Sequence, residues 1–98
     1  MSENTQFYDK EDLIYSYRWS QYSEKDPRIS GDPDNTWLDR AQGGEILYLI
    51  NLFAAKRSFT SKHSGSKIEK MLNLYVPADI NTQMEVINWI EERWFDFI

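Results

Sequence analysis

The stretch Glu45–Arg57 most narrows what this chain folds into. Ile46, Leu47, Leu49, Ile50, Leu52 and Phe53 cover well over half of a helical circumference there. A helix that is apolar nearly all round belongs at the centre of its domain, with the other elements packed around it. Lys56 and Arg57 close it with the charge sign that a helix C-terminus favours. Its most apolar run, Ile46 to Ala55, contains Asn51 and is about half the length needed to cross a bilayer. The chain has 98 residues, enough for one small core and one domain, taken as 1–98 with the polar 1–8 flexible.

Two S/T-x-x-E signatures mark further helices. Ser66-x-x-Glu69 predicts a helix over 66–75, with Ile68, Met71, Leu72 and Tyr75 on one face and Pro77 ending it. Thr82-x-x-Glu85 predicts a helix over 82–96, on which Met84, Ile87, Trp94 and Ile98 trace one face. Asp9 followed by Glu11 and Asp12 resembles a helix start. The segment after it reads two ways: Leu13, Tyr15, Tyr17 and Trp19 alternate with period two, while Leu13, Ile14, Tyr17 and Gln21 fit one helical face. We take 9–22 as helix, which predicts an all-α bundle of about four helices (9–22, 45–57, 66–75, 82–96); if 13–22 is a strand, the class is α+β, and that strand would pair with a second copy or a partner. Residues 23–36 are dense in turn chemistry and predict a long loop, and a short helical turn is expected at Thr36–Gln42 before Gly43-Gly44.

No constellation in the sequence announces catalysis, a metal or a cofactor. The chain has no cysteine, so disulfides, thiolate zinc sites and thiol chemistry are excluded. Its one histidine, His63, reads as an exposed loop residue. Asp32-Pro-Asp34-Asn-Thr36 begins like a calcium loop, but Trp37 and Gly43 stand where that loop needs glycine and a carboxylate. Gly43-Gly44 opens a helix, yet Glu45 in the first turn repels an anion. An enzyme is not expected, and no cofactor is implied. The N-terminus has neither a basic nor an apolar signal region, which makes the cytoplasm the default location and gives no membrane partner.

Charge and aromatic content say more. The net charge is −5, and it is segregated: residues 46–70 hold Lys56, Arg57, Lys62, Lys67 and Lys70 against Glu69 alone, while both flanks are acidic. Those five cations are the candidate surface for a nucleic-acid-binding regulator, a reading that the overall acidity disfavours against simple charge balance. Fifteen aromatics exceed what one small core needs, and Tyr15, Tyr17, Trp19 and Tyr22 crowd one segment. Aromatics with a polar handle are the preferred anchors of protein interfaces.

At Asp34-Asn35-Thr36, Asp39-Arg40 and Gly44–Asn51, and again at Val76-Pro77 and Val86–Ile90, the chain resembles small accessory proteins encoded in the early regions of enterobacterial phages and prophages. The resemblance covers about residues 34–94. It implies a protein that acts in the bacterial host cytoplasm by binding and inhibiting or modulating a host protein: a CRISPR effector, a restriction enzyme, a RecBCD-type nuclease or RNA polymerase. Nucleic-acid-handling machinery of this kind has basic grooves that attract an acidic ligand. On that reading Tyr15, Tyr17, Trp19 and Tyr22 are the partner anchors, and Asp32, Asp34 and Asp39 are the charge complements. A self-associating structural protein, a homodimer included, is the remaining alternative.

Overall fold

The computed structural model describes residues 7–31, 33–59 and 61–96. The fold is all-α. Helix α1 is Gly43–Arg57, α2 is Lys62–Lys70 and α3 is Gln83–Glu92. One wide helical turn, Met71–Tyr75, prolongs α2, and single 3-10 turns occupy Lys10–Asp12 and Trp94–Asp96.

Helix α1 takes the central place that its apolar circumference demands. Ile46, Leu49, Ile50 and Phe53 are fully buried, and Leu47 and Leu52 pack on the same core. Around them stand Ile68, Met71 and Leu72 from α2 and its extension, Val86, Ile87 and Ile90 from α3, and Tyr8, Leu38 and Val76 from the connecting chain. Among the described residues, no helix is long and apolar enough to cross a membrane.

The Thr82 box forms as its spacing predicts. Thr82 Oγ1 accepts from Glu85 N at 3.3 Å, and Thr82 N donates to Glu85 Oε1 at 3.4 Å. Helix α3 ends at Glu92 and is followed by the 3-10 turn, so the expected continuous helix to 96 is broken at Arg93; Phe97 and Ile98 lie outside the described residues. Past Tyr75 the chain leaves the α2 extension, with Val76 N donating to Met71 O at 2.8 Å and Pro77 following. Arg40 caps this end. Its guanidinium donates to the carbonyls of Val76 and Pro77 at 2.7 Å each, to Leu72 O at 3.4 Å, and to Ile80 O. One side chain thereby bonds four carbonyls, of which Pro77 O also accepts Ile80 N at 3.1 Å.

Three expectations are corrected. Ser66-x-x-Glu69 is not a capping box. Helix α2 starts four residues earlier, where Ser61 Oγ accepts from His63 N at 3.1 Å, so His63 sits exposed in the first turn of a helix and not in a loop. Residues 9–22 are not a helix: only Lys10–Asp12 turn, and 13–22 run irregularly with a single parallel bridge between Arg18 and Gln42, so there is no strand either. The expected helical turn over Thr36–Gln42 is reduced to one turn closed by Gln42 N on Asp39 O at 3.1 Å, with an antiparallel bridge between Trp37 and Thr82 before it.

The physical reason for the second correction is Glu69. Its carboxylate is buried and accepts Ile14 N at 3.0 Å, Tyr15 N at 3.1 Å and Tyr17 Oη at 2.7 Å. Backbone donors that a helix would use internally are drawn instead to an acid on α2. The period-two alternation is the pattern realised: Leu13, Tyr15 and Tyr17 are partly buried, and Ile14, Ser16 and Arg18 are exposed.

The N-terminal end is also tied down. Residues 1–6 lie outside the described residues, but Tyr8, expected to be flexible, is a core residue. Tyr8 N donates to Asn51 Oδ1 at 2.7 Å, and Asn51 Nδ2 returns a bond to Tyr8 O at 3.0 Å. The Tyr8 hydroxyl donates to Asp12 O at 2.9 Å and pairs with Ser66 Oγ at 2.9 Å. Gly65 makes room for this ring: a Cβ there would fall inside it.

Candidate partner-binding site

The aromatics predicted as anchors divide into internal struts and surface groups. Tyr17 Oη is committed to Glu69, and it also receives Asn73 Nδ2 at 2.9 Å. Burial and the adjacent carboxylate push its pKa well above the ordinary tyrosine value. Tyr22 Oη donates to the buried Glu45 at 2.7 Å, and burial with that carboxylate pushes it up to about 12. Tyr15 is half-buried with its backbone on Glu69. Trp19 is 42% exposed. Its ring lies over Gly43, where any Cβ would strike it, and Lys10 Nζ stands 4.5 Å from the ring centroid.

Of the acidic complements, Asp32 lies outside the described residues. Asp34 is exposed and turns on itself, accepting from Thr36 N at 2.8 Å and from Thr36 Oγ1; these bonds hold its pKa below the ordinary carboxylate value. Asp39 Oδ1 accepts Ala41 N at 2.9 Å, and its own N–H donates to Glu45 Oε1 at 2.9 Å.

The five cations of the alternative surface do not form one free patch. Lys56 and Arg57 share Glu91 at 3.5 and 3.2 Å. Lys62 pairs with Asp12 at 2.5 Å, and Lys67 sits 4.2 Å over the Trp94 ring. Lys70 is exposed on the last turn of α2. Four of the five are thus engaged within the chain, which fits charge balance better than a phosphate track.

What the fold does assemble is an open groove of about 800 Å³. Ser20, Gln21 and Tyr22 from the irregular N-terminal segment, Trp37 and Asp39 from the chain before α1, and Gln42 and Glu45 from the α1 start line it. Its positions follow from the bridge at Trp37–Thr82. There Leu38 is buried, its N–H donating to Asn81 O at 2.8 Å, and Trp37 and Asp39 on either side of it are exposed. The long loop is held near it by the buried Gln83, whose Nε2 donates to Pro27 O at 3.1 Å and whose Oε1 accepts Asp34 N at 3.3 Å. Arg28 is fixed at the groove by a bidentate pair with Asp26, at 2.9 and 2.7 Å, which lowers the Asp26 pKa to about 2.

The groove unites two of the predicted residues, Tyr22 and Asp39, and leaves out Tyr15, Tyr17, Trp19 and Asp34. It also contains two that sequence reasoning passed over. Trp37 is 68% exposed, the most exposed tryptophan of the chain. Gln42 Oε1 is the one buried side-chain polar atom without a hydrogen-bond partner among the described residues. The signal available for Trp37 was a large aromatic following three turn-forming residues, Asp34-Asn35-Thr36. Nothing local marked Gln42.

Among the described residues, no group of three His, Asp or Glu side chains is placed to hold a metal ion.

No protein-family model matches this chain, and no curated protein or solved structure does.

Proposed function

We propose that this chain is a small phage-type acidic protein that binds a host protein stoichiometrically and inhibits or modulates it. The target class is nucleic-acid-handling defence machinery: a CRISPR effector, a restriction enzyme or a RecBCD-type nuclease. The observation that carries the reading is Trp37, a tryptophan left two-thirds exposed at a groove that also holds Asp39, on a chain of net charge −5. A small domain gains nothing in stability from an indole in water, whereas an exposed tryptophan beside a concave surface is what interface anchors look like before binding. The acidic balance adds long-range attraction toward a basic partner. On this reading the site acts in the bacterial cytoplasm, with Tyr22, Trp37, Asp39 and the neighbouring Trp19 facing the partner, while Tyr17 serves to hold the segment in place.

The test is a tagged capture from bacterial lysate, with and without nuclease treatment, read by mass spectrometry. One dominant host protein retained after nuclease supports the reading. Recovery of only nucleic-acid-bound proteins, lost on nuclease treatment, contradicts it and favours the regulator that uses Lys56, Arg57, Lys62, Lys67 and Lys70. Recovery of the bait alone, with light scattering showing a dimer, favours self-association.

A further inference from the structure

Three of the four tryptophans already carry a cation from within the chain. Lys10 stands over Trp19 at 4.5 Å, Arg93 over Trp89 at 4.6 Å, and Lys67 over Trp94 at 4.2 Å. The tyrosines Tyr8 and Tyr22 are covered in the same way by Lys62 and Arg28. Trp37 is the exception: among the described residues no cation lies over its ring, though it is the most exposed tryptophan.

The polar groups around it point to the same vacancy in donor chemistry. Both arginines at the groove are spent. Arg28 is neutralised bidentately by Asp26, and Arg40 gives its guanidinium to four backbone carbonyls. Glu45 is satisfied by neutral donors, Tyr22 Oη and Asp39 N. What remains uncommitted is acceptor in character. Among the described residues, Asp39 has an exposed carboxylate with one oxygen bonded only to a backbone N–H and no ion pair, and the buried Gln42 Oε1 behind it has no donor. Of the two carboxylates that line the groove, Glu45 has a side-chain donor and Asp39 has none.

An exposed indole face beside an exposed carboxylate that has no side-chain donor selects a planar, multidonor cation. We infer that the Trp37 groove receives an arginine side chain of the partner protein, its guanidinium stacked on Trp37 and paired with Asp39. This deepens the binding reading and rests on it: proteins that channel nucleic acid expose arginines for phosphate, and an acidic ligand that captures one occupies the channel. Lysine fits less well, because an ammonium neither stacks as a plane nor forks across two acceptors.

The test is a titration of the full chain with Nα-acetyl-arginine methylamide, followed by the indole N–H resonances of the four tryptophans. The neutral citrulline analogue, of nearly the same shape, is the control. The expected result is a saturable shift at Trp37 in the range of about 1–10 mM with arginine, and none with citrulline. Asp39→Asn, which keeps the oxygen that accepts Ala41 N, weakens it about tenfold, and Trp37→Leu abolishes the response of the Asp39 and Gln42 amides with the helical signal unchanged. No saturable shift by about 50 mM, an equal response to citrulline, or shifts centred on Trp89 or Trp94 overturns the assignment. The titration is independent of lysate capture, so a captured host protein with no guanidinium response removes this ligand and leaves the binding reading standing.

Discussion

Tyr17 Oη lies 2.7 Å from Glu69 Oε2, a hydrogen bond that joins the irregular N-terminal segment to the second helix across 52 residues of sequence. Its counterpart is Tyr22 Oη on Glu45 Oε2, also at 2.7 Å, which joins the same segment to the first helix. Both carboxylates are buried, and each also accepts at least one backbone N–H. A segment with almost no hydrogen-bonded secondary structure is thus held by two acids, one on each central helix. That attachment forms one side of the groove.

Removing the strut tests this directly. Tyr17→Phe takes one donor from Glu69 and one acceptor from Asn73, and is expected to cost about 1–2 kcal/mol. Glu69→Leu leaves Ile14 N, Tyr15 N and Tyr17 Oη without an acceptor, and is expected to cost about 3 kcal/mol or more. Urea unfolding gives the energies. Amide exchange at Ile14 and Tyr15 accelerates in Glu69→Leu well beyond the change at α1 if the loss is local release of the strap.

The two glycine contacts predict different responses to the same substitution. Alanine in place of glycine inside a helix ordinarily stabilises by about 1 kcal/mol. In Gly65→Ala the new methyl falls in the ring of Tyr8, which is fully buried and cannot retreat, so a loss of about 1–3 kcal/mol is expected. In Gly43→Ala it meets the outer ring of Trp19, which is half in solvent and can swing away. There the thermal midpoint changes little, and the Trp19 fluorescence shifts toward that of a solvated indole.

Alkaline titration reads the same struts. A tyrosine whose pKa is raised on folding stabilises fully below the unfolded value near 10 and loses that contribution as pH climbs toward the folded one. Tyr22, at about 12, and Tyr17, pushed higher by burial and Glu69, therefore make stability fall from about pH 10 upward. Absorbance at a phenolate wavelength together with circular dichroism checks this. Tyr17 and Tyr22, together with Tyr8, whose hydroxyl burial also pushes up, should ionise late and together with unfolding. Their ionisation near pH 10 with the helices intact would show the hydroxyls are not held.

Arg40 is expected to be irreplaceable by lysine. Its planar fork reaches four carbonyls at the end of the α2 extension, and a single ammonium cannot span them. Arg40→Met should cost about 2–4 kcal/mol and Arg40→Lys at least half of that, read by chemical unfolding. Equal stability of the lysine variant and the parent would mean the charge alone matters.

Helix α1 and the Thr82 box were legible because their determinants are local. An all-round apolar run buries itself, and a threonine finds its glutamate three residues away. The N-terminal segment was not legible because its determinants are distant. Glu69 stands three residues after Ser66 and so imitates a capping box, but its oxygens are taken by Ile14, Tyr15 and Tyr17, more than 50 residues earlier in the chain. The alternation of Leu13, Tyr15 and Tyr17 is present in the sequence, but nothing local specifies that the extended backbone bonds to a distant side chain. The groove was hidden for the same reason. Tyr22, Asp39 and Gln42 meet only because that segment is strapped across the start of α1, and no local pattern shows that Trp37 has no cation over its ring among the described residues.

The central functional claim is that the Trp37 groove faces the partner, and placing a photocrosslinker on it is the most direct measurement. Benzoylphenylalanine is introduced in turn at Gln21, which lines the groove with Trp37, at Leu74 on the α2 extension and at Phe95 beyond α3, three exposed positions on different elements, and each variant is irradiated in bacterial cells. The account predicts one discrete host adduct from position 21 that survives nuclease treatment, and none from 74 or 95. Adducts from position 74 or 95 with none from 21 would contradict it.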